Sequence, residues 1–153
     1  MKKQKGFSLI ELLIVVAIIL IIAAIAIPNL IKSKMAANEA SAVGSIRTIN
    51  TSEVAFASAC PNLGFTGTIG DFATGAATCP GASVLLDSQL VTGTKSGYSF
   101  ALTSAGATPR TAYTVTGNPN NTTSGTRYFF SDESGVIRYA TGGAAVVTSP
   151  ALQ

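Results

Sequence analysis

The residues with chemistry to do sit close together near the start of the chain: Gly6, Phe7 and Glu11. A secretory signal places its small-residue cleavage site after the apolar run. Here Gly6 comes before it, so a cut between Gly6 and Phe7 leaves the apolar segment on the mature chain and frees the α-amine of Phe7. Glu11 is the single formal charge in Phe7–Ile31. An ionisable group in a membrane segment costs about 2.5–3.5 kcal/mol at mid-bilayer and is a functional hypothesis by default. Near the segment's start, its cost is lower and the helix dipole favours it. Packed among other helices, it needs a cation. The one at that depth is the new α-amine of Phe7, from its own chain or a neighbour's. A neighbour's amine would set the register between subunits, the best-attested use of a buried ion pair.

The element that positions these residues is the apolar run itself. A bilayer core needs roughly 20 apolar residues of helix, and Phe7 to Ile27 provides about that many. A helix apolar all round must be buried in lipid or among other helices. Lys2, Lys3 and Lys5 precede it and predict a cytoplasmic N-terminus by the positive-inside rule. Pro28 removes a backbone donor and crowds the carbonyl of Ala24, predicting a kink. Beyond it, Met35, Ala36, Val43, Ile46, Ile49, Val54 and Ala57 recur at helical spacing, with Lys32, Lys34, Glu39 and Arg47 mostly off that stripe. The expectation is one helix from Phe7 to about Ser58, apolar first and amphipathic later.

Lys5-Gly6-Phe7-Ser8-Leu9-Ile10-Glu11-Leu12, with the apolar run ending Ala24-Ile25-Ala26-Ile27-Pro28, resembles the N-terminus of type IV pilins and the related pseudopilins of type II secretion. The likeness covers about the first fifth to quarter of the chain. It implies a leader, 1–6, removed after Gly6 by a prepilin peptidase that N-methylates Phe7. It implies a filament-core helix half, 7–31, with Glu11 facing a neighbour's Phe7 amine, and a head, 32–153, with the amphipathic helix half. Pro28 matches the family's kink-forming proline. The family often has glycine where this chain has Leu20. The partners implied are further copies of the chain, the peptidase, an inner-membrane assembly platform, an outer-membrane secretin, and lipid before assembly. The expected locations are the inner membrane for the precursor and an extracellular filament after assembly. The alternatives are a periplasmic pseudopilus subunit and a membrane-anchored binding protein that does not polymerise.

The remaining composition agrees with a structural role. The formal charge is +3, but without Lys2, Lys3 and Lys5 the basic and acidic side chains balance, so nucleic acid is not indicated as a partner. With no histidine, neither a Ser-His-Asp nor a Cys-His arrangement can be built. No phosphate-binding loop appears; the expectation is no enzyme and no cofactor or metal. Cys60 and Cys79, in an exported domain, predict a disulfide worth roughly 3 kcal/mol. It would close a loop rich in turn residues.

Ser83–Leu90 reads as a short helix capped by Ser83. After Gly93 the period becomes two, at 98–102, 113–115, 127–130 and 136–139, with a tight hairpin at Ser134-Gly135 and a last edge strand at Ala144–Thr148. The fold class is therefore α+β, a long spine helix against about four antiparallel strands. Asp132-Glu133 is the nearest thing to a calcium loop, and reads better as a turn. Three Asn-x-Ser/Thr triplets, at Asn50, Asn120 and Asn121, match the glycosylation pattern loosely.

Overall fold

The computed structural model describes residues 6–74, 79 and 86–152. The chain divides into two units, Met1–Lys34 and Met35–Gln153. Helix α1 is Leu9–Ala59, and it passes through Pro28 without ending. Its first bond runs from the Leu12 N–H to the Ser8 carbonyl, 3.3 Å. In the first unit, every large apolar side chain from Phe7 to Ile31 is exposed.

The second unit holds the core. On α1 the buried positions include 39, 42, 46, 49, 53 and 56, a regular alternation of three and four residues that presents one face. Val54, expected on the apolar stripe, is 58% exposed. Glu39, expected off it, is buried. The stripe is correct in period and wrong in membership, because two of its members are glutamates.

Against this face lies a five-stranded antiparallel sheet in sequential order: β1 Thr94–Lys95, β2 Tyr98–Ala105, β3 Ala112–Pro119, β4 Arg127–Asp132 and β5 Arg138–Thr141. Alternation along β2 and β3 buries Tyr98, Phe100, Leu102, Tyr113 and Val115, which meet Ala42, Ile46, Ile49 and Phe56 in one core with Phe129 of β4. The extra strand, β1, has two residues. It is formed by a two-residue turn in which Ser96 (φ +51°) and Gly97 (φ +76°) are both left-handed, matching the strand twist. The Ser41 hydroxyl donates to the Ser96 hydroxyl at 2.9 Å and ties this turn to α1.

Three local expectations are corrected. The connection after β4 is wider than a tight hairpin: Phe130 pairs with Arg138, and Val136 and Ile137 lie outside the strand. Asp132 closes a turn there, its carbonyl accepting from the Gly135 N–H at 2.9 Å and its carboxylate from Ser134. Ala144–Thr148 is a turn segment, not a strand. The tail reaches the sheet later, where the Leu152 N–H donates to Ile137 at 2.7 Å and Ala151 bridges Arg138. The short helix before the sheet is α2, Ser88–Val91, capped by Asp87, whose carboxylate accepts from the Leu90 N–H at 2.8 Å. Ser83 lies outside the described residues. Asp87 takes the cap because a carboxylate is among the strongest N-caps and also holds Lys95 at 2.6 Å.

Candidate assembly interface

Gly6 and Phe7 are exposed and precede the helix, in non-helical backbone. Phe7 is 84% exposed. Ser8 is the N-cap, and Glu11, three residues on, accepts a bond from the Ser8 N–H at 2.9 Å. This is one arm of a capping box, in which an N3 glutamate satisfies a donor the helix itself cannot. The Ser-x-x-Glu spacing signals it in the sequence, and it gives Glu11 a partner besides the Phe7 amine. With the Gly6–Phe7 bond intact, the Phe7 nitrogen is an amide, so the expected pair cannot yet form. Met1–Lys5 lie outside the described residues. The helix is long and apolar enough to cross a membrane by length and composition.

In the second unit Cys60 and Cys79 are joined by a disulfide, with Cα atoms 6.1 Å apart. Cys60 is buried directly after the last helical turn, and its carbonyl accepts from Leu63 and Gly64. The connector is held further by Arg110 and by Asp71. Its backbone pairs with Arg110 through Phe65 N–H (3.1 Å) and Leu63 carbonyl (2.8 Å). Gly64 sits at φ +71°, and a Cβ there would come within 2.1 Å of the Arg110 carbonyl, so only glycine fits. Asp71 accepts from the N–H groups of Gly67 and Thr68 at 2.7 and 2.9 Å.

The two buried glutamates were missed as functional groups of the fold. Glu39 accepts from the Thr126 N–H and hydroxyl, the Arg127 N–H and the Arg127 Nε, the last at 2.7 Å. Burial pushes its carboxyl up, but the bonds from Thr126 and Arg127 outweigh burial and hold it below the usual carboxylate range. Glu53, fully buried, accepts from the Thr66 N–H at 2.9 Å and from the Thr66 hydroxyl. Here burial prevails over the Thr66 bonds, Asp71 adds repulsion that Arg110 partly offsets, and the carboxyl is held above its usual range. Burial, with the charge of Glu39 or Glu53 nearby, pushes the Tyr98 and Tyr113 hydroxyls up to about 12.

Asn50 donates to the Ser131 hydroxyl at 2.8 Å and accepts from the Tyr113 hydroxyl at 3.2 Å, so it is a buried structural amide and not a surface acceptor. Among the described residues no group of three or more His, Cys, Asp or Glu is placed to hold a metal.

Residues 1–27 match the family model described as the prokaryotic N-terminal methylation motif. The match is confined to the N-terminal segment. The chain is 59% identical over 39 residues to the type IV wide pilus major component PilA4 of Thermus thermophilus. It is 46% identical over 54 residues to the type IV major pilin protein PilA of Myxococcus xanthus. These stretches are 26% and 35% of this chain and span 30% and 24% of the relatives' own lengths. No solved structure matches. The motif match covers Gly6, Phe7 and Glu11 and ends one residue before Pro28.

Proposed function

We propose that this protein is a structural subunit of an extracellular type IV pilus. The observation that carries the reading is the exposed apolar surface from Phe7 to Ile31, with one carboxylate at its start, in a segment that matches the N-terminal methylation motif through residue 27, in a chain similar over part of its length to two major pilins. Such a surface demands lipid or partner helices. The precursor spans the inner membrane with Met1–Gly6 in the cytoplasm. A prepilin peptidase cuts after Gly6 and N-methylates Phe7. An inner-membrane platform then moves the helix from lipid into a stack of identical helices, with Pro28 as the kink, and the filament leaves through an outer-membrane secretin. Glu11 exchanges its capping bond for the Phe7 amine of a neighbour, which fixes the axial step. Head-to-tail contacts of this kind build an open filament, not a closed ring.

The test is mass spectrometry of the N-terminus with electron microscopy of material sheared from cells. The expected result is a chain that begins at methylated Phe7 within long surface fibres. A chain that begins at Met1, or one confined to the periplasm, overturns the proposal.

A further inference from the structure

A groove of about 400 Å³ opens on the head beside the β3–β4 connection, with Asn120, Asn121, Thr122, Thr126, Tyr128 and Thr141 on its walls. We infer that it is a binding site for a neutral saccharide. The volume falls within the range of small-ligand sites.

Three observations point to that chemistry. First, no lining residue carries a charge. A separate groove at the other end of β3 is lined in part by Asp132 and Glu133, and the groove that shares Asn120 with this one is lined in part by Lys95. A polyanion such as single-stranded nucleic acid needs cations along its track, and this groove offers none.

Second, the walls combine one aromatic ring with amides and hydroxyls. Tyr128 is half-buried, on the face of β4 opposite the buried Phe129. A sugar ring presents an apolar C–H face and a rim of hydroxyls, which suits an aromatic side chain flanked by short polar groups. The Tyr128 hydroxyl and those of Thr122 and Thr141 make no bond within the described chain, and are available to a ligand.

Third, the polar groups are held in place before any ligand arrives. Asn121 accepts through Oδ1 from the Thr123 N–H and hydroxyl and from the Ser124 hydroxyl, at 3.1, 2.7 and 2.9 Å. Asn120 accepts through Oδ1 from the Ser99 hydroxyl at 2.5 Å, and its N–H donates to the Gly97 carbonyl at 2.9 Å. Both amides therefore use their oxygens within the protein and keep their NH₂ groups as donors. The Asn38 amide holds the Ser124 carbonyl at 3.0 Å, and Glu39 fixes Thr126. Gly125 can bear no side chain, since a Cβ would come within 2.0 Å of the Tyr98 hydroxyl oxygen, and this keeps the loop close to the core. A loop ordered by its own bonds loses little further freedom when a ligand binds.

The test uses the full chain in zwitterionic detergent micelles, which carry no sugar. Saturation-transfer NMR is recorded with cellotetraose, chitotetraose and lacto-N-tetraose at about 10 mM, well above the roughly 1 mM Kd expected of one shallow site. At least one should show transfer to its ring C–H protons. Tyr128→Ala should weaken that binding at least about tenfold, and Thr141→Val severalfold, with circular dichroism unchanged. Should Tyr128→Ala fail to fold, Thr122→Val and Thr141→Val, both on exposed positions, carry the comparison. The inference is overturned if no tetrasaccharide binds, if binding is indifferent to these substitutions, or if oligodeoxythymidine competes with the sugar for the groove. Failure here would leave polymerisation untouched, because the groove shares no residue with the Phe7–Ile31 surface.

Discussion

Glu39 and Glu53 lie two heptads apart on one helix face, and their carboxyls are driven in opposite directions. The deciding quantity is the number and charge of donors that replace water. Glu39 receives four bonds, one from a guanidinium, and stays ionised. Glu53 receives two neutral ones and sits near a second carboxylate. The consequences for stability have opposite signs. Because the folded state lowers the pKa of Glu39, its contribution is present above the unfolded value near 4.5 and is lost as pH falls through the folded value. Glu39→Gln should therefore cost about 1.5–3 kcal/mol at neutral pH, the range for hydrogen bonds to charged groups, and progressively less as the pH falls through the folded value. Glu53 has its folded pKa raised, so its contribution is full below the unfolded value and is lost as pH rises through the folded one. Glu53→Gln should be near neutral or stabilising at pH 7, and should remove the gain in stability that Glu53 is expected to contribute as the pH falls. Urea denaturation of the full chain in micelles between pH 3 and 8 measures both. Neither glutamate stood out in the sequence as a buried group, since an apolar template skips charged residues and the Arg127 partner is 88 residues away. The alternation of three and four from 39 through 56 was nevertheless there to read.

At the scale of elements, legibility followed how local the determining forces are. The apolar run and the alternating strands are set by burial of one face, and their types emerge from periodicity alone. β1 escaped because two residues carry no periodicity; only the Ser96-Gly97 pair marks its turn. The tail escaped because its bonds to Ile137 and Tyr139 are long-range backbone pairings with no side-chain signature. The disulfide was legible because two cysteines allow one pairing. Its partner constraint, the Gly64–Arg110 bridge, was not, since only the fold places those backbones together. Besides the Glu53–Thr66 bonds, the connector thus has two anchors that can each be removed separately. The double variant Cys60→Ser, Cys79→Ser should lower stability by about 3 kcal/mol in the chain-entropy description. Gly64→Ala should add its loss to that of the double variant only in part, because both release the same segment. Thermal melts of the three variants, with and without reductant, measure the coupling. Full additivity would mean that the bridge and the disulfide restrain different parts of the chain.

For the whole molecule, the central question is whether Glu11 matters to assembly as a helix cap or as a charge. As a cap it satisfies the Ser8 N–H. Its removal would fray one turn at a cost of about 0.5–2 kcal/mol, the range for lost caps. That is small beside the partitioning energy of the Phe7–Ile31 run, where each leucine or isoleucine contributes roughly 0.3–0.6 kcal/mol on insertion scales. Glu11→Leu should therefore still insert into membranes, with the head folded and the disulfide formed. Glu11→Gln separates the two roles. Its side-chain oxygen can still accept from the Ser8 N–H, so the cap survives, but it cannot neutralise an amine. If the charge sets the register, both variants should resist extraction from membranes by alkaline carbonate yet yield no filaments under the electron microscope. If capping were the whole role, Glu11→Gln would assemble normally while Glu11→Leu would not. Normal filaments from Glu11→Gln would thus end the registry mechanism while leaving the apolar surface as the driving element. Loss of filaments in both would locate the selectivity of assembly in one carboxylate on an otherwise featureless apolar helix.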